Sequence, residues 1–272
     1  MTTLAIIRDT FREALARKIF WGLFGLTALL ILFFLFVMKI DIVEGATATI
    51  SLFGKSGPQR QTDQLIRGVY GFVATFLYTW GMFLAVFASA GLIPSILEPG
   101  RIELLLSKPV SRTHILLGRF AGNVLVVSCN VILLVLGVWL IFGVKTGLWP
   151  PAFLISIPTT IFIFSVLLTV VALVGVLWES TALATMVTVA LMILSPILAQ
   201  EKTMMKLLSS EWSRDLWRTL YYVFPKVYDL GWMTLSAIRD RAVDSYQPVA
   251  TSAVFGIVIL GAAIYTFARR DF

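Results

Sequence analysis

The chain has 272 residues, of which 58% are hydrophobic and 14% charged, and its net charge is +7. Soluble domains carry about 25% charged residues, so this composition excludes a water-soluble domain and requires a membrane. The excess Lys and Arg is dispersed among the ends of apolar runs, which fits topology signals and anionic headgroups and argues against nucleic acid. The single cysteine, Cys129, sits inside an apolar run and excludes an intrachain disulfide.

Residues 1–18 have the spacing of an amphipathic helix. Leu4, Ile7, Phe11 and Leu15 recur at three and four residues, with Arg8, Arg12, Arg17 and Lys18 on the other positions. Such a helix either lies in the membrane interface or serves simply as a positive flank that orients the first span, and both readings put the N-terminus in the cytoplasm. The run from Ile19 to Met38 spans a core of about 30 Å and exceeds the roughly 7–15 residues of a secretory h-region. It therefore reads as a mature span, despite the cleavage-like Ala46-Thr47-Ala48.

Uncharged length predicts six transmembrane helices in a single all-α integral membrane domain over 1–272, at about 19–40, 69–97, 121–144, 152–178, 181–199 and 249–268. Trp178-Glu179-Ser180 joins the fourth and fifth as a tight hairpin. The second is rich in aromatics, and Phe76, Trp80 and Phe83 are candidates to line a substrate path, against the alternative that they face lipid. Pro94 and Pro196 are candidate kinks.

Residues 200–248 mix charged and apolar positions and predict a structured external segment before the last span. Leu207, Leu208, Trp212, Leu216 and Leu220 suggest an amphipathic helix, broken at Pro225. The stretch after it either re-enters the bundle or lies flat at the interface.

The charge sides agree with an even number of spans. Residues 1–18, the 98–120 turn and Arg269-Arg270 are net basic, which predicts that they face the cytoplasm of a cell (inner) membrane.

The most specific stretch is Glu98 to Gly122. It contains Glu98, Gly100, Glu103-Leu104-Leu105-Leu106, Pro109-Val110-Ser111-Arg112 and Leu117-Gly118-Arg119-Phe120-Ala121-Gly122. Arg101, Ile102 and Lys108 fill the positions between. This order of residues resembles the cytoplasmic turn of permease subunits of type-2 ABC exporters. Arg101 stands where that family often has threonine, and Pro99 is unusual there.

The resemblance implies a coupling segment that docks on a cytoplasmic ABC ATPase, present in two copies, and passes its motion to the spans. ATP and Mg would then sit in that partner, with no cofactor in this chain. It also implies pairing with a second permease, as a homodimer or heterodimer, among lipids and accessory periplasmic or membrane proteins. In physical terms Ile102 and Leu104 to Leu106 would fill a groove, and Glu98, Glu103, Lys108 and Arg112 would set its geometry.

Gly118 and Gly122 have the spacing that lets helices pack closely, within the chain or across a dimer. Gly54-Lys55-Ser56 is not a phosphate loop, because Thr49 stands where the pattern needs glycine. His114 is the sole histidine and Cys129 the sole cysteine, on different segments, which argues against zinc and Ser-His-Asp chemistry; His114 reads as part of the turn's surface. The spans lack interior charges, which weighs against ion-coupled transport. Two rival readings remain: an intramembrane lipid-modifying enzyme using Glu98 with Glu103 or residues near Asp229, and a non-transporting scaffold. Substrate identity is open among lipid, glycolipid, peptide and drug-like molecules, and a role in cofactor or metal-centre assembly is open too.

Overall fold

The computed structural model describes residues 3–16, 18–43, 47–52, 55–56, 60–91, 94, 111–201, 204–205, 210–242 and 245–270, with residues 39–60 described by backbone alone. The chain begins with α1 (Thr3–Ala16) and α2 (Lys18–Leu32), the latter ending in a π-helical turn at Phe33–Val37. Next comes a helix in three parts: α3 (Thr62–Phe76), a π-helical turn (Leu77–Gly81) and α4 (Met82–Ala90). α5 is Arg112–Thr146. A 3-10 turn at Pro151–Ile155 opens α6 (Ser156–Trp178), which is followed by α7 (Thr181–Leu198). The chain then forms α8 (Glu211–Val223), α9 (Val227–Ile238) and α10 (Gln247–Arg269).

Six helices are long and apolar enough to cross a membrane: Phe20–Val37, Thr62–Ala90, Arg112–Thr146, Pro151–Trp178, Thr181–Leu198 and Gln247–Arg269. The all-α membrane class holds. α6 is apolar all round, as a helix at the centre of a bundle must be, and Ile163, Phe164, Leu167 and Val171 are fully buried. The outer helices expose leucine, isoleucine and valine instead, among them Leu125, Leu133 and Leu140 of α5 and Ile257 and Val258 of α10.

Two helices start earlier than hydropathy places them. The second begins at Thr62 rather than 69 and the third at Arg112 rather than 121. The 98–120 turn therefore gives up residues 112–120 to helix. At 1.5 Å per residue the 35 residues of α5 extend about 53 Å against a hydrocarbon core of about 30 Å. Its charged first turns project beyond the apolar layer, where hydropathy carries no signal.

The loop after the first span adds a small antiparallel sheet: β1 (Met38–Val43), β2 (Thr47–Leu52), β3 (Lys55–Ser56) and β4 (Arg60–Gln61). β2 pairs with the other three, with Met38 opposite Leu52 and Val43 opposite Thr47. The alternation Met38-Lys39-Ile40-Asp41-Ile42 carried this signal, a period of two. Lys55–Ser56 is a strand and not the helix start that a phosphate loop requires.

The same end of the bundle is tied down by cations. Lys145 Nζ donates to the carbonyls of Phe34, Leu35 and Met38 at 2.7, 2.8 and 2.7 Å, closing the carbonyls that the first span leaves at its end. Arg67 pairs with Asp63 at 2.8 Å and donates to the Ile238 carbonyl at 3.3 Å, joining α3 to the end of α9.

Pro225 separates α8 from α9. α8 buries none of its residues, and Trp212 is exposed; Leu207 and Leu208 lie outside the described residues. α9 packs against the bundle. Its start is pinned by two side-chain hydroxyls: the Lys226 amide donates to Ser252 Oγ of α10, and the Tyr228 amide to Ser195 Oγ of α7, both at 3.0 Å. With these early amides satisfied, α9 inserts among α3, α6, α7 and α10 and buries Val227, Leu230 and Thr234.

Candidate functional site

The opposite end of the bundle gathers the basic termini. α1 packs lengthwise on the first turns of α5, through Ile6, Thr10 and Ala14, all buried. Gly118 and Gly122 make this approach achievable. A Cβ at Gly118 would meet Ile6 Cγ2 at 2.8 Å, and one at Gly122 would meet Thr10 Cβ at 2.6 Å. The small-residue pair thus serves a contact within the chain.

Between the two glycines stands Arg119, 2% exposed. Its guanidinium bonds Asp9 Oδ2 at 3.0 Å and also Glu13 Oε2, with both carboxylates on α1. Sequence reasoning placed Arg119 in an exposed turn and did not single out Asp9 and Glu13. The signal available was their spacing of four on one side of a helix otherwise read for its arginines. Arg8, Arg12 and Lys18 are exposed, Phe11 is half-buried beside them, and Arg17 lies outside the described residues.

A second network closes the same end. Ser111 caps α5 by accepting from the His114 amide, so His114 belongs to the first turn of α5. Arg112 donates to the carbonyls of Ala268, at 3.3 Å, and Arg270 at the end of α10. Arg270 in turn pairs with Glu179 and donates to the Val176 carbonyl. Glu179 ends α6 with φ of 53°. The start of α5, the 178–180 hairpin and the C-terminal end of α10 therefore meet. Arg112 is held by its own chain rather than offered whole to a partner. Of the other candidate coupling residues, Ser111 is the cap; Glu98, Gly100, Arg101, Ile102, Glu103, Leu104, Leu105, Leu106, Lys108 and Pro109 lie outside the described residues.

Toward the other end lies a cavity of about 470 Å³ between the second span, α7 and α9. Its walls include Thr75, Tyr78, Phe83, Met192, Pro196, Val227, Gly231, Trp232 and Leu235, none of them charged. The volume falls in the range of small-molecule sites, about 300–1,000 Å³. Tyr78 supplies the polar edge: its hydroxyl lies 2.7 Å from Thr234 Oγ1 and 3.2 Å from Thr159 Oγ1. Gly231 keeps the wall thin, since a Cβ there would already touch the Tyr78 ring at 3.4 Å.

The three aromatics proposed for the path separate. Phe83 lines this cavity, Trp80 is 62% exposed on the outer surface, and Phe76 faces a smaller cavity on the other side of the span. Tyr78, which the π-helical turn aims inward, takes the place expected of Trp80. Such turns concentrate at functional sites.

The comparison with protein families decides the class. A profile described as ABC-2 family transporter protein matches residues 4–272, nearly the whole chain. The chain belongs to the ABC-2 transporter permease family. Comparison with curated proteins found no match. As a permease of this family it is a membrane component of an ABC transporter, with an ABC ATPase as its general partner. Among the described residues the permease brings together no group of three His, Cys, Asp or Glu that could hold a metal.

One further charged cluster marks the permease where α8 meets α9. Lys226 is 2% exposed, and its Nζ sits 4.0 Å from the Tyr221 ring centroid and 4.7 Å from that of Tyr222. Tyr221 donates its hydroxyl to Asp229 Oδ2 at 2.9 Å. Burial holds the Asp229 carboxyl above the ordinary carboxylate range, and burial lowers the Lys226 ammonium. A carboxyl raised in the folded state contributes stability below its unfolded pKa and loses it as pH rises through the folded one. The melting temperature in detergent should therefore fall on raising pH from the ordinary carboxylate value through that of Asp229, and Asp229→Asn should flatten this portion. Parallel profiles for the two proteins would refute the assignment.

Proposed function

We propose that the permease forms the membrane path of an ATP-driven exporter, with its N- and C-termini and the 98–110 segment in the cytoplasm of the inner membrane. The observation that carries this reading is the convergence of α1, the start of α5, the 178–180 hairpin and the end of α10 at the basic end. The 98–110 segment runs directly into the Ser111 cap of α5, and the Arg119 clamp ties α5 to α1. A push on that segment would move the third span and α1 together, while Arg112 and Arg270 carry it to the fourth and sixth spans. Two ATPase chains, closing on ATP and Mg, would supply the push, and a second permease would complete the path.

The cavity beside Tyr78 gives the cargo a character. Uncharged walls with a hydroxyl edge suit an apolar or amphiphilic molecule and offer nothing to balance a net charge. ATP-driven alternation requires the two arrangements of the bundle to bind ATP-closed partners differently.

The test is purification of the tagged native protein in gentle detergent, with mass spectrometry of what accompanies it. A stoichiometric ABC ATPase chain is expected. Recovery of the permease alone across several detergents would overturn the coupling reading.

A further inference from the structure

Behind the π-helical turn of the second span, on the side away from the transport cavity, lies a second cavity of about 20 Å³. Most of its wall is apolar and includes Leu77, Met82 and Leu134, but three polar side chains from three other helices face it: Thr27 of α2, Asn130 of α5 and Thr160 of α6. They are 4%, 7% and 2% exposed. Thr27 donates its hydroxyl to Asn130 Oδ1 at 2.9 Å. Asn130 Nδ2 and Thr160 Oγ1 have no hydrogen-bond partner within 3.5 Å among the described residues, although the Thr160 hydroxyl also acts on that of Tyr78, which Thr159 and Thr234 already bond. Thr160 differs here from Thr159, Thr185 and Thr188, whose hydroxyls bond the carbonyl four residues back.

We infer that this cavity is a binding site for one structural water, which bridges Thr27, Asn130 and Thr160 and so links the first, third and fourth spans. The size is right, because about 10–15 Å³ suffices for a single water. The chemistry is right too: the amide Nδ2 donates to the water, the Thr160 hydroxyl exchanges a bond with it, and the Thr27 oxygen keeps a lone pair for it. Three partners is the usual number for a buried water. Leaving the two groups unpaired at this depth would be unfavourable twice over. The bridge sits against Leu77 and Gly81, the two ends of the π-helical turn. Three spans are thus held at this level through exchangeable hydrogen bonds rather than interlocked carbon, directly behind the segment that presents Tyr78.

The sign of one substitution separates a wet site from a dry one. Thr160→Val keeps the shape and the β-branch. If water is bound, it loses a partner, and the unfolded-to-folded ratio in detergent rises about fivefold. If the cavity is dry, the variant removes a buried unpaired hydroxyl and is as stable as the parent or more so, which would overturn the inference. Radiolytic hydroxyl labelling of the unaltered protein provides the second readout, because radicals form from water and mark the side chains beside it. Met82, 1% exposed, lines the cavity, and Phe164, fully buried, does not. Labelling of Met82 without Phe164 is expected, and absence of label on Met82 would also overturn the inference.

Discussion

Replacing Arg119 with leucine will destabilise the folded permease by about 3 kcal/mol, read as the shift in thermal or SDS-driven unfolding. The guanidinium is 2% exposed and Glu13 is 14% exposed, so removing the cation takes a charge-assisted bond from a carboxylate that water barely reaches. Asp9 is 61% exposed and can turn to solvent, so it adds little. The loss should be largely recovered by combining Arg119→Leu with Glu13→Leu, because an apolar pair of similar bulk replaces a buried ion pair at small cost. A double variant no better than the single one would show that Arg119 acts through something other than Glu13. Gly122→Val tests the same contact sterically. Its added carbons would start 2.6 Å from Thr10 Cβ, which is near the backbone and cannot swing away, so α1 itself must shift.

Exchanging Leu104, Leu105 and Leu106 for aspartate will abolish co-purification of the ATPase while leaving the melting temperature of the permease unchanged. In the proposed docking the three leucines share one groove, where three apolar anchors exceed about 4 kcal/mol, a loss of roughly a thousandfold in affinity. Reversing Glu98 and Glu103 to lysine should weaken association less at high salt than at low salt, because rim charges act through screened fields. An ATPase that still co-purifies with the triple aspartate variant would remove the segment from the coupling role. The contrast with Arg119 is the informative part: one set of changes should unfold the protein and keep its docking chemistry, the other should do the reverse.

Much of the architecture is local and was legible in the residues. A span must satisfy every backbone amide within its own helix and present apolar side chains for about 20 residues. Both requirements are written in one continuous stretch, so six spans and their hairpins follow from hydropathy alone. The basic character of one end follows equally, because Arg8, Arg12, Arg112, Arg269 and Arg270 flank those stretches. The sheet at 38–61 was also legible by its period of two, but a length rule for spans does not look for alternation.

What the tertiary structure decided are the pairings between distant positions. Asp9 and Glu13 meet Arg119 more than a hundred positions away, Lys226 and Tyr228 find hydroxyls on α10 and α7, and Tyr78 meets Thr159 and Thr234. Periodicity says that a helix has two faces but not which helix each face will meet. In lipid that choice cannot come from hydrophobicity, which is alike on all sides. It comes from close approach at glycine and from polar groups that must find one another, and those conditions exist only once the helices are assembled.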